Sequence, residues 1–152
     1  MPTVVQVLAA VFFIASAPAA SAGSPISGAR NGPAIQGYDP VAYFMRKEAV
    51  KGVPEHGYEW SGATWHFSSA ENKGLFAAEP EKYAPQYGGH CSASVANGKV
   101  TPGAGDAWSV HGGKLHLHAT SEARTYWIQN YAKSLYWTDR EWPKLRDRLL
   151  AE

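Results

Sequence analysis

Two stretches of the chain alternate large apolar side chains with small or polar ones on either side of a glycine turn. This pattern limits the fold more than any other feature. In YEWSGATWHF, Tyr58 and Trp60 precede Ser61-Gly62, and Trp65 and Phe67 follow it. In WSVHGGKLHLH, Trp108 and Val110 precede His111-Gly112-Gly113-Lys114, and Leu115 and Leu117 follow it. Successive strand side chains point to opposite faces, so each stretch reads as an antiparallel hairpin with one apolar face. Glycine supplies the positive φ that such short turns need.

Helices are predicted around these hairpins. Ser69 is placed to cap a helix through about Ala78 that ends at Pro80, and SASVANG reads as one or two turns closing at Gly98. From Ser121 the spacing of Trp127, Ile128 and Tyr131 is helical. Thr138 and Glu141 resemble a capping box, but Pro143 would fall inside that helix, so the last helix is expected to begin at Pro143. Gly23 to Gly37 is rich in Gly, Pro and Ser and reads as a flexible leader with a short strand around Ala34–Gln36, the packed domain beginning near Tyr38. The sequence displays no internal repeat and no low-complexity block. The expected class is α+β: a small antiparallel sheet built from two hairpins, with short helices and a helical C-terminal segment.

Residues 1–22 carry no charged side chain, have an apolar run from Val4 to Ala15, and end in Ala20-Ser21-Ala22. That is the small-x-small pattern of a signal peptidase site, and a run of about 12 apolar residues is short against the ~20 needed to span a bilayer. A cleaved signal over residues 1–22, a leader over 23–33, a domain over 34–150 and a periplasmic or secreted destination are therefore expected, with no membrane span once the signal is removed. A formal net charge of +1 gives no field that favours nucleic acid.

Export makes the single cysteine notable, because thiols in an oxidising compartment usually pair. Cys91, in YGGHCSAS, is a small buried hydrophobe, a ligand contact, or a nucleophile assisted by His90; the sequence leaves all three open. In LHLH, His116 and His118 share one strand face, where two imidazoles can meet one ion or simply face solvent. Asp39 before Pro40 either organises a turn or, with Tyr38, anchors a pocket walled by Trp60, Trp65 and Trp108. The ligand-binding candidates are thus Tyr38, Asp39, His90 and Cys91, and the metal-ligand candidates are Cys91, His116 and His118. His56, His66 and His111 are weaker ones.

The blocks GYDPVAYF (37–44), WHFSSAENKGLFAAEPEKY (65–83) and YGGHC resemble a YHS domain in its exported single-domain form. The resemblance extends over about Ala34 to Leu145. It implies metal binding, with copper foremost, because related domains occur in copper-transporting ATPases and some hydroxylases. That implication rests on cysteines: metal-associated members read DPVCGM, followed by a Cys-Ser pair and a further Cys. Here those three positions are Ala42, Ser68 and Asn72, while Phe76, Pro80 and Tyr83 stay in register. Without thiolates, soft-metal ligation there is lost. Exported relatives carry an aromatic and an asparagine where this chain has His116 and His118, which sets the pair apart from shared ligands. The favoured function is a non-catalytic exported binding module for a metal ion, copper or zinc, or a small molecule. The alternative is a thiol-dependent enzyme or redox protein using Cys91.

Overall fold

The computed structural model describes residues 23–152. The expected signal segment, 1–22, lies outside the described residues. The elements run α1 (Ala42–Met45), β1 (Val53–Trp60), β2 (Ala63–Phe67), α2 (Ala70–Ala78), α3 (Pro80–Tyr83), α4 (Ser92–Ala96), β3 (Ala104–His111), β4 (Lys114–His118), α5 (Ser121–Gln129) and α6 (Tyr131–Ala151). The class is α+β, and each hairpin forms its own two-stranded antiparallel sheet, β1-β2 and β3-β4. Ser69 caps α2 as expected, its hydroxyl accepting from Asn72 N at 3.1 Å. No helix among the described residues is long and apolar enough to cross a membrane.

The expectation of no internal repeat is overturned. The two hairpins have one register, 51 residues apart: Val53 pairs with Phe67 and Ala104 with His118, each hairpin then breaks register, and Gly57–His66 through Trp60–Ala63 match Trp108–Leu117 through His111–Lys114. The shared pattern extends outward. Before each hairpin stands a 3-10 turn, Ala34–Gly37 or Gln86–Gly89, with three consecutive residues at positive φ. After each hairpin a helix is capped by a hydroxyl, Ser69 for α2 and Thr120 for α5. Asp39 N donates to Val50 O, and Cys91 N to Thr101 O. Gly52 N donates to Gly37 O, and Gly103 N to Gly89 O. The chain folds as two copies of one unit, residues 34–83 and 86–129, with α6 added to the second.

Identity survives between the copies where the backbone demands it. Gly37 and Gly89 both sit at φ +79. A β-carbon on Gly52 would meet the His66 carbonyl carbon at 2.3 Å, and one on Gly103 would meet Leu117 Cβ at 2.5 Å; His66 and Leu117 are themselves equivalent. At Gly89 a β-carbon would in addition fall 2.4 Å from Ile35 Cγ2. Gly89→Ala combines left-handed backbone with a core clash and is expected to cost about 2–3 kcal/mol, read as a lowered urea midpoint.

The copies pack through a common core. Leu115 and Leu117 join Ile35, Val41, Tyr43, Trp65, Phe67 and Phe76 in one buried cluster, while Tyr87, Val95, Trp127 and Leu145 form a second. Three sequence expectations change here. Ala34–Gln36 lies in a 3-10 turn that buries Ala34 and Ile35, since positive φ at Ile35 and Gln36 is incompatible with a strand. The leader is docked: Ile26 enters the core, Ser27 N donates to Gly88 O at 2.8 Å, and Ile35 N donates to Ser27 O at 2.8 Å. The last helix does not begin at Pro143. α6 runs through that proline because its face is held by burial of Ser134, Thr138 and Leu145, and Thr138 Oγ1 bonds back to Ser134 O at 2.6 Å instead of capping. Tertiary packing outweighs one missing backbone donor.

Candidate functional site

Asp39 is fully buried and forms the tightest polar node in the first copy. Its Oδ1 accepts from Val41 N at 2.9 Å and Ala42 N at 3.3 Å. Its Oδ2 accepts from Ser68 N at 2.8 Å, Ser68 Oγ at 2.6 Å and Asn72 Nδ2 at 2.8 Å. Ala42, Ser68 and Asn72 are the three positions where the resemblance would place cysteines, so all three converge on one carboxylate. The donor set does not fit a metal ion: both carboxylate oxygens face N–H and O–H donors, whose positive ends would repel a cation. Asp39 is a structural staple, not a pocket anchor. Tyr38 lies elsewhere, its ring against Gly105 and 4.1 Å from Lys51 Nζ. Trp60 and Trp65 pack against Phe76, Trp60 edge-on, and Trp108 packs against Tyr43, so the aromatic density is core.

Cys91 is the second copy's counterpart of Asp39. It is 1% exposed and ends at α4, a helix of only 5 residues. Ala119 and Ala123 replace Ser68 and Asn72 around it. His90 does not assist the thiol as a positioned base: its Nε2 donates to Pro25 O at 3.2 Å, and burial lowers its pKa. Tyr38, Asp39, His90 and Cys91 therefore do not form one site.

His116 and His118 are not solvent-facing, as one reading of LHLH had it. Both are fully buried against Trp127, at ring-centroid distances of 5.2 and 6.0 Å. Each has one nitrogen on a serine hydroxyl: His116 Nδ1 and Ser92 Oγ are 3.3 Å apart, and His118 Nε2 and Ser109 Oγ 3.0 Å. The other nitrogens, His116 Nε2 and His118 Nδ1, have no partner. Burial, then neighbouring charge, from His111 and Lys114 on His116 and from His116 and Arg124 on His118, pushes each pKa down to about 4. Both rings are neutral at pH 7. Among the described residues no three His, Cys, Asp or Glu side chains are arranged to hold a metal ion, so Cys91, His116 and His118 are not assembled into one ligand set.

These shifts carry a sign. The unfolded chain takes up protons near the ordinary pKa of about 6.5, before the folded chain does, so stability is full above that pH and falls as pH drops toward 4. The loss approaches roughly 3 kcal/mol per ring across the window. A urea midpoint flat from pH 8 to 7 and falling below pH 6 is expected, with the fall reduced in a His116→Leu, His118→Phe double variant.

Beside His116 lies a cavity of about 130 Å³ lined by Gln86, Tyr87, His111, Lys114, His116, Tyr131, Leu135 and Asp139. The Tyr87 hydroxyl donates to Asp139 Oδ1 at 2.8 Å, and burial and this carboxylate push its pKa above the usual tyrosine value. His111 stacks on Tyr131 at 3.7 Å. The repeat gives these residues their meaning. Gln86, Tyr87, His111, Lys114 and His116 stand where the first copy has Ala34, Ile35, Trp60, Ala63 and Trp65. A dry hydrophobic corner in one copy is a polar cavity in the other. Sequence reading found His116 but missed Tyr87, Lys114 and Asp139, whose only signal is this comparison between copies.

Residues 41–87 match the family model of the YHS domain, a match that falls on the first copy and its connection to the second. No curated protein and no solved structure shows significant similarity to the chain. The register of its blocks and this match agree: residues 41–87 carry the pattern of a YHS domain, consistent with a YHS domain-containing protein.

Proposed function

We propose that this protein is an exported, non-catalytic binding module in which the first copy is the scaffold and the second binds a small polar ligand in the His116 cavity. One observation carries the reading: five positions that are apolar in the first copy are polar in the second, around a cavity instead of a packed core. The fold does not require them, because the first copy forms without them. Burying two uncharged imidazoles with unpartnered nitrogens costs stability, and such a cost marks a site. At ~30 Å³ per water, the cavity suits a ligand of about four to six non-hydrogen atoms.

A transition-metal ion, copper or zinc, is a second reading. It is favoured by the setting of each imidazole, one nitrogen tied to a hydroxyl and the other free, as metal-bound histidines are. A third donor would then come from the ligand or solvent. No comparable observation favours thiol chemistry at the buried Cys91. Isothermal titration with Zn²⁺, Cu²⁺ and a set of small acids, amines and amides tests the proposal. Saturable binding is expected for at least one probe; no binding by any of them contradicts it.

A further inference from the structure

We infer that the amino terminus left by removal of residues 1–22 is part of the fold: the Gly23 ammonium caps the carboxyl end of α6. The inference rests on the proposed export. α6 has 21 residues and ends at Ala151, so its last four carbonyls lack partners within the helix and carry the negative end of its dipole. Gly23 lies against them. A β-carbon there would fall 2.3 Å from the Leu149 carbonyl oxygen and 3.1 Å from that of Leu150, which leaves room for glycine only. The amino nitrogen is one bond from the same Cα, and once freed of its peptide bond it can turn its protons toward these carbonyls.

The flanking chain is fixed in place. Ser24 Oγ donates to Ser61 O at 3.1 Å, Ile26 is in the core, and Arg30 pairs with Glu152, the residue that ends α6. Hydrolysis of the Ala22–Gly23 bond by a signal peptidase, with one water, leaves a carboxylate on Ala22 and an amine on Gly23 that is protonated at neutral pH. An ammonium has three donors for carbonyls that a helix end otherwise leaves to solvent. The charged and titratable groups at this end are Arg30, Lys99, Arg148, Glu152 and His90. Cleavage would thus convert a secretion signal boundary into a helix cap.

The test has two arms. The full chain is expressed with its leader in an exporting bacterial host, and the intact mass of the exported protein is measured; a terminus at Gly23 is expected. Export with cleavage elsewhere overturns the cap alone; a chain that keeps its leader and is not exported overturns the export reading and the cap with it. Separately, protein is released from a purified fusion by a protease so as to begin at Gly23 or at Ala22. The Gly23 form is expected to melt about 2–5 °C higher at low salt, with the gap narrowing in 1 M salt. Equal melting temperatures, or a gap indifferent to salt, overturn the cap and leave the export reading intact.

Discussion

Replacing Asp39 with alanine is expected to lower the unfolding free energy by about 3–5 kcal/mol, a fall of roughly 10–20 °C in melting temperature. The five hydrogen bonds to this carboxylate join the start of α1, the Ser68 bend and the first turn of α2. Its removal strands backbone N–H groups, the Ser68 hydroxyl and the Asn72 amide, most of them away from water. Asp39→Asn is expected to be nearly as damaging, because it turns an NH₂ toward a group of donors. Ser68→Ala and Asn72→Ala, each losing one side-chain donor, should cost about 1–2 kcal/mol each. Thermal and urea unfolding of the four variants check this ordering. A mild Asp39→Asn would mean that the carboxylate is held for some other purpose than these bonds.

The second large effect is on binding. His116→Leu is expected to weaken any ligand found by titration at least about 100-fold while changing stability by no more than about 1 kcal/mol. The two readouts should separate because the substitution removes an unpartnered buried nitrogen, Nε2, and only a 3.3 Å contact to Ser92. Cys91→Ser is expected to leave binding unchanged, since the thiol is outside the cavity. If Cys91→Ser abolishes binding and His116→Leu does not, the site lies at Cys91 and not in the His116 cavity.

Hairpins, the Ser69 cap and the α+β class were legible because period-2 apolar patterning, glycine turns and hydroxyl caps are local signals. The duplication was not. Its copies share the residues that backbone geometry demands, such as Gly52 with Gly103 and Gly62 with Gly113, but differ where side chains pack. Trp65 and Phe67 in one copy are His116 and His118 in the other, so a search for similar side chains passes over the repeat. The same substitutions hid the site. A histidine alternating with leucine reads as a solvated face, and only the placement of Trp127 and α6 over that face makes it interior. Pro143 misled for the converse reason: its local cost is real, but Leu145 and the α6 face it lies on are buried regardless.

The duplication also changes what the family match implies. The first copy, where the family match falls, keeps the scaffold but has Ala42, Ser68 and Asn72, all bonded to Asp39, where a metal-associated member would have thiolates. Under the proposed function, binding capacity belongs to the second copy, which has polar groups around a cavity where the first has a packed aromatic corner.

That division is tested most directly by mapping nuclear magnetic resonance shift changes, in backbone amides and histidine ring nitrogens, during titration with Zn²⁺ and with the small-molecule set. The account predicts changes concentrated at Tyr87, His111, His116, Tyr131 and Asp139, with Asp39, Ser68 and Asn72 unmoved. Changes centred on Asp39 or on Cys91, with the His116 ring undisturbed, would contradict it.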